Sequence, residues 1–322
     1  MNKDALLQVS EIVSHSSCPD GIGAAMVCVA AYVAGGMNPP PTYFIQYDTR
    51  AHNEMKARPR QLFVDITPPK ARWEDWRGLS PIILDHHESV THIVQSLDGV
   101  YGDSDCSGTT LAFDNIMVPL SGDVLTAAAK IGQDDLATWK RFAHLCMVRD
   151  TWKTASPDWA EACALAHALL LQGQKWAVHV ATVGRLPFDE LINIGTKMYE
   201  KIMRQAKGVV RNSAKHVLKA GGRDIKIAFF NHAEGGTVSD IAHHVMDQMP
   251  CDVVVGYFYV HEDDATRCVA SVRTNGAISA SELARTFDGG GHARAAGFRI
   301  PDGPSPKQII DLIIERIASL NP

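Results

Sequence analysis

Pro81-Ile82-Ile83-Leu84-Asp85-His86-His87 is the stretch on which the fold turns. An apolar run of four residues stops at an acid and two imidazoles. Short runs rich in Ile, Val, Phe and Tyr, bounded by Pro, Gly or charge, read as buried strands. Two more have the same form, residues 42–47 before Asp48 and residues 61–64 before Asp65. Helical stretches lie between them: 23–34 is rich in Ala and Val, and 108–117 is another candidate. Alternating strands and helices predict an α/β fold with a parallel sheet covered on both faces. Such sheets gather ligands at the carboxyl ends of their strands, which is where these acids and histidines fall.

Outward from that core, residues 122–185 are mostly helical in pattern. Residues 188–219 predict one amphipathic helix, with Pro187 before it and Gly221-Gly222 after it as punctuation. Lys201, Arg204, Lys207, Arg211, Lys215 and Lys219 fall within about 60° of one direction on that helix. The stripe is either a solvated face or a basic wall for a phosphate chain. Strand patterns return at 225–230, 252–259 and 268–272, with helices at 238–249, 280–287 and 306–320. The expected division is therefore 1–187, a connecting helix 188–221, and a smaller α/β unit 222–322. At roughly 150 residues per domain, the 322 residues agree with two domains.

The net charge is −5, from 31 Lys and Arg against 36 Asp and Glu. The chain is thus no general polycation for duplex DNA or anionic membranes. A phosphate partner must be held by a local basic site or by metal ions. The seven Cys are odd in number and form no CxxC pair, which points to a reduced, cytoplasmic chain. No signal-peptide pattern and no membrane-spanning apolar run are expected.

Asp85-His86-His87 does not stand alone. Upstream is Ser14-His15-Ser16-Ser17-Cys18-Pro19-Asp20-Gly21, after an apolar stretch and before a helix. His15 and Asp20 on a strand-to-helix loop can point into one cavity, with Gly21 allowing a tight turn. Asp65 closes a buried-type strand, and Asp150 ends a helical run in Val148-Arg149-Asp150-Thr151-Trp152. Singly, each acid is an ordinary cap or ion-pair partner. Together, Asp20, Asp65 and Asp150 with His15 and His86 match a dinuclear site for Mn²⁺ or Mg²⁺. Within 103–110, Asp105 or Ser107 caps a helix. Because helix N-termini also bind anions, Ser107 or Thr109 could touch substrate. The stretch 235–240 opens a helix in the same manner.

The order His15…Asp20-Gly21, lone Asp65, Asp85-His86-His87, lone Asp150 resembles the DHH phosphoesterase superfamily. In the C-terminal unit, Ser271-Val272-Arg273 and Gly289-Gly290-Gly291-His292-Ala293-Arg294-Ala295-Ala296-Gly297-Phe298 resemble the GGGH signature of the DHH-associated C-terminal domain. The chain is most similar to the oligoribonuclease (nanoRNase) branch. The resemblance implies that His15 and Asp65 bind one metal ion, and that Asp20, Asp65, His86 and Asp150 bind a second, with Asp65 bridging. It implies that His87 meets the substrate phosphate and that Asp85 supports it. Arg273, Gly289, Gly290, Gly291 and His292 would meet a terminal nucleotide or phosphate, with Arg294 a weaker candidate. Where family members carry a further Asp, this chain has Cys18, which stands open between thiolate ligand and bystander.

The resulting expectation is a two-metal phosphodiesterase, with Mn²⁺ ahead of Mg²⁺, hydrolysing short RNA or DNA oligonucleotides or dinucleotides to mononucleotides. A homodimer is left open, and no membrane partner is expected. Two alternatives are a phosphoanhydride hydrolase acting on pyrophosphate or polyphosphate, and a non-catalytic nucleotide- or RNA-binding module.

Overall fold

The structure is a computed structural model that describes residues 3–47, 49–103, 105–121, 133–232, 237–262 and 265–320. The side chains of 133–135, 262, 265 and 292 are not among those described. Asp48, the expected helical stretch 125–132 and the glycines at 235–236 lie outside the described residues. The chain forms two units, Met1–Tyr199 and Glu200–Pro322. The division falls inside a helix, Phe188–Asn212.

The first unit is built on five strands: β1 (Glu11–His15), β2 (Thr42–Ile45), β3 (Gln61–Val64), β4 (Ile82–Asp85) and β5 (Val100–Tyr101). All pair in parallel, in the order β2-β1-β3-β4-β5. Successive residues of the central strands serve opposite faces. Ile12, Leu62 and Leu84 join one apolar cluster, while Val13, Phe63 and Ile83 join another. Burial on both faces is why these strands are continuous apolar runs rather than alternating ones. Helices Pro19–Ala34, Gln133–Asp150 and Trp159–Val183 supply much of the first cluster.

Strand order reverses direction between β1 and β3. The chain leaves β1 for β2 on one side, then crosses back to β3 on the other. Such a switch point opens a crevice outside the carboxyl ends of the two strands. His15 ends β1, Asp65 follows β3, and Asp85 ends β4.

The second unit carries a mixed sheet of β6 (Ala214–Ala220), β7 (Arg223–Asn231), β8 (Val253–Glu262), β9 (Ala265–Thr274), β10 (Gly290–His292) and β11 (Ala295–Ile300). Its order is β10-β11-β9-β8-β7-β6, with only the β7–β8 pair parallel among those described. Ile309, Ile313 and Ile317 of the last helix, Pro306–Ser319, pack with Ile227, Val255 and Ala270 of the sheet.

The expected helix over 188–219 is corrected here. It stops at Asn212, and residues 214–220 form edge strand β6, paired antiparallel with β7. Gly221 and Gly222 both have positive φ, at 59° and 76°. They make the two-residue hairpin turn that glycine pairs favour, not a helix stop. Ala214-Lys215-His216-Val217-Leu218-Lys219-Ala220 alternates exposed and half-buried along the strand. Lysines four apart satisfy both a helical face and a strand face, which is why the spacing misled. The cation stripe therefore ends at Arg211. Lys201, Arg204, Lys207 and Arg211 are exposed on the helix, whereas Lys215 and Lys219 belong to the strand.

Candidate metal centre

Asp65 is the hub. It leaves β3 in the left-handed backbone region, φ 58°, which Asp tolerates better than most residues. Its amide donates to the Leu84 carbonyl at 2.9 Å, fixing the turn against β4. The carboxylate is buried. Its Oδ2 lies 3.3 Å from His15 Nδ1, and its Oδ1 lies 3.3 Å from His86 Nε2.

His86 Nε2 is also 3.3 Å from Asp150 Oδ2 and 3.8 Å from Asp20 Oδ2. Three carboxylates from three distant segments thus converge on one imidazole nitrogen. Asp20 is buried in the first turn of Pro19–Ala34. It accepts from the Gly108 and Thr109 amides at 2.6 and 3.1 Å, and Thr109 Oγ1 donates to its carbonyl at 2.9 Å. A Cβ on Gly108 would sit 2.5 Å from Asp65 Cβ and 2.9 Å from Asp20 Oδ2, so the close approach requires glycine there. Gly21 has a similar reason. A Cβ would lie 2.3 Å from the His15 carbonyl oxygen, so close packing on β1, rather than a turn, sets that residue.

The donor atoms form three overlapping groups, each with ligand atoms within 4.8 Å of one another: His15, Cys18 and Asp65; Asp65, His86 and His87; Asp20, His86 and Asp150. His15 Nε2 is buried and has no hydrogen-bond partner among the described residues. A ring with one nitrogen beside a carboxylate and the other buried without a partner fits a metal-ligating imidazole.

Electrostatics point the same way. Burial, then Asp65 and Asp150, push Asp20 up to about 7. Burial raises Asp150 as well, with His86 opposing. Burial works against the Asp65 carboxylate too, but its bonds to His15 and His86 hold it well below the usual range. Burial opposes protonation of His86, yet Asp65, Asp150 and Asp20 together carry it up to about 10. Burial and then Asp65, Asp150 and Asp20 raise the Cys18 thiol. Without added positive charge, the cluster holds protons that a divalent cation would replace.

His87 is held differently. Its Nδ1 and its amide both lie 2.8 Å from Asp85 Oδ1. Burial opposes its protonation, but the Asp85 hydrogen bond and charge lift it to about 9. Asp85 is fully buried. Tyr47 donates to Asp85 Oδ2 at 3.0 Å and accepts from the Thr67 amide at 3.1 Å. Sequence reasoning quoted the run containing Tyr47 without giving it a role.

Arg149 and Trp152 were also missed as a pair. The Arg149 guanidinium lies over the Trp152 ring at 4.1 Å and over Trp159 at 5.4 Å, flanking Asp150. Ser107 is buried and caps the Gly108–Ala112 helix in a reciprocal box with Thr110. Its hydroxyl is used locally.

In the second unit, Arg273 on β9 donates to Ser239 Oγ at 2.6 Å and to the Val272 carbonyl at 2.8 Å. Gly290–His292 is a strand, paired residue for residue with Ala295–Gly297. A Cβ on Gly289 would lie 2.4 Å from the Gly297 oxygen, and one on Gly291, φ 139°, 2.6 Å from the Ala295 oxygen. These two glycines are required by packing on β11, whereas Gly290 faces open space. Arg294 lies in the β10–β11 turn, its carbonyl accepting from the Thr274 amide at 3.1 Å. The His292 side chain lies outside the described residues.

Residues 206–319 match the DHHA1 domain family. The match covers most of the second unit, Glu200–Pro322, and none of the first. It agrees with the GGGH resemblance in that unit, and the solved structures similar to this chain show a shared fold. A pGpG-specific phosphodiesterase, PggH of Vibrio cholerae, superposes with a TM-score of 0.53 at 13% identity, covering 96% of this chain and 99% of that one. An exopolyphosphatase-related protein of Bacteroides fragilis gives 0.57 at 12% identity, covering 98% and 95%. RecJ of Thermus thermophilus, in complex with Mn²⁺, gives 0.52 at 17% identity; it covers 99% of this chain, which spans 54% of RecJ. No curated protein matches the sequence. Among the described residues, no helix is long and apolar enough to cross a membrane.

Proposed function

We propose that this DHHA1-containing chain is a metal-dependent phosphodiesterase that hydrolyses short oligonucleotides or dinucleotides to mononucleotides. The observation that carries the reading is the convergence of Asp20, Asp65 and Asp150 on His86 Nε2, beside His15 and a His87 anchored by Asp85. The likeness to a pGpG phosphodiesterase over nearly the full length of both chains supports a small substrate. So does the net charge of −5, which disfavours a long polyanion.

His15 and Asp65 would hold one divalent ion, and Asp20, Asp65, His86 and Asp150 a second, with Mn²⁺ ahead of Mg²⁺ as in the likeness to RecJ. Two such ions supply Lewis acidity toward phosphoryl oxygens and acidify water. His87 does the protein's part. With Nδ1 bonded to Asp85, its Nε2 is the free edge of the ring. The elevated pKa keeps it protonated at neutral pH, so it donates to a phosphoryl oxygen as charge develops there. Arg273, Gly290, His292 and Arg294 of the DHHA1 domain would hold a terminal phosphate or nucleotide.

The test is a substrate panel: pApA, pGpG, short RNA and DNA, a cyclic dinucleotide, pyrophosphate and polyphosphate, with Mn²⁺ and then EDTA. Mononucleotide release that needs Mn²⁺ is the expected result. Phosphate release from polyphosphate alone would favour the phosphoanhydride hydrolase. Tight nucleotide binding without turnover would favour the binding module.

A further inference from the structure

Cys18 holds the position before helix Pro19–Ala34 that most often goes to a side chain capping the first turn. Its backbone is extended there, φ −119° and ψ 130°, and the Gly21 amide of the first turn lies toward its thiol. The Sγ also lies within 4.8 Å of ligand atoms of His15 and Asp65. The His15 ring sets Nδ1 3.3 Å from Asp65 Oδ2 and leaves its buried Nε2 with no hydrogen-bond partner among the described residues. One nitrogen, one sulfur and one carboxylate oxygen thus face the same small volume, from the end of β1, the helix entrance and the end of β3. The second group, Asp20, His86 and Asp150, has no sulfur.

We infer that Cys18 is a thiolate ligand, and that it makes the His15–Cys18–Asp65 site selective for a thiophilic divalent ion. The two ends of the centre then differ in kind. A thiolate favours Zn²⁺ or Co²⁺ and discriminates against Mg²⁺, while the carboxylate-rich end suits Mn²⁺ or Mg²⁺. The inference rests on the two-ion reading above. It adds that the ions are unlike and that saturating Mg²⁺ fills only one end. Metal binding here replaces the thiol proton by a metal–sulfur bond and releases that proton to solvent.

The experiment is titration of the EDTA-stripped full chain with Co²⁺, read by absorbance rather than turnover. The expected spectrum has visible ligand-field bands together with a sulfur-to-cobalt charge-transfer band in the near ultraviolet. Excess Mg²⁺ should leave the charge-transfer band in place. Cys18→Ser should abolish that band while ligand-field bands persist. It should weaken Zn²⁺ binding by more than the roughly 10–100-fold that loss of an outer partner costs. Serine is a favoured residue at a helix entrance, so the variant should fold, and Cys18→Asp offers a second variant with an oxygen donor. Ligand-field bands without charge transfer in the parent chain would overturn the inference and leave the two-ion reading standing. Charge transfer that survives in Cys18→Ser would do the same. Absence of every cobalt band would overturn both.

Discussion

Tyr47 donates its hydroxyl to Asp85 Oδ2 at 3.0 Å, while Asp85 Oδ1 holds His87 Nδ1 at 2.8 Å. The phenol thus fixes one carboxylate oxygen so that the other can set the imidazole. Tyr47→Phe removes a hydrogen bond to a charged group, a loss of about 1.5–3 kcal/mol, and also strips the Thr67 amide of its acceptor. The melting temperature should fall. With a dinucleotide substrate, kcat should drop about tenfold, equivalent to roughly 1.4 kcal/mol, with KM nearly constant. Unchanged kcat would show that Asp85 orients His87 without help.

The adjacent imidazoles should separate cleanly. His86 meets Asp20, Asp65 and Asp150, whereas His87 Nδ1 is bonded to Asp85. His86→Ala should weaken Mn²⁺ binding in calorimetry. His87→Ala should bind Mn²⁺ normally and lose roughly 10²–10³ in kcat, the scale of one lost transition-state donor. Equal metal affinities in the two variants would contradict this division.

Stripped of divalent ions, the protein should lose stability as pH rises. Asp20 is raised from 3.8 to about 7, so folding takes up its proton between those values and stability declines across that window. His86 and His87 are raised from 6.5 to about 10 and about 9, so their contribution is full below 6.5 and is lost through those higher values. Asp65 is depressed, and its contribution is lost as pH falls below the usual carboxylate range. Melting temperature in EDTA should therefore be highest near the mildly acidic end and fall toward pH 9. Saturating Mn²⁺ should raise it by an amount that grows with pH, because binding displaces the protons of the ligands Asp20 and His86. A Mn²⁺ effect that shrinks with pH would sink this account.

Gly108 is a steric requirement with a chemical consequence. Gly108→Ala places a Cβ 2.5 Å from Asp65 Cβ. Overpacking of that kind costs about 1–3 kcal/mol, and relief must move Asp65 or the helix that donates to Asp20. Both stability and Mn²⁺ affinity should fall together, measured by denaturant unfolding and calorimetry. Loss of stability alone would place the strain elsewhere.

The first sheet was legible because strands buried on both faces are uninterrupted apolar runs that stop where side chains must be polar. Pro81 to Leu84 and Gln61 to Val64 both end that way, and the acids after them are the cluster residues. Strand β6 was not legible, since its lysines repeat every four residues and suit a helix equally well. Tyr47 was hidden for another reason. Its partner is 38 residues away, and only the pairing of β1 with both β2 and β3 brings the β2 and β4 ends together. The glycines at 289 and 291 were read as contacts for a terminal nucleotide or phosphate, and no sequence signal showed that their lack of a Cβ also answers to packing on β11.

Trp152 occupies a position that glycine usually takes. Helix Gln133–Asp150 ends with the Lys153 amide on the Val148 carbonyl at 3.0 Å and the Trp152 amide on the Arg149 carbonyl at 3.4 Å. That is a Schellman closure, with Trp152 at the left-handed position, φ 57°. A non-glycine residue there costs about 1–2 kcal/mol. The ring returns part of that by lying under Arg149 and meeting Trp159 edge to face, and a desolvated cation–π contact is worth up to about 2 kcal/mol. Trp152→Gly removes both the strain and these contacts, so it should shift stability by less than about 1 kcal/mol. Trp152→Ala keeps the strain and loses the contacts, so it should melt below Trp152→Gly, against the usual ranking of alanine over glycine. Both variants free Asp150 at the helix end and should weaken Mn²⁺ binding. Alanine melting above glycine would mean that the left-handed turn is not retained.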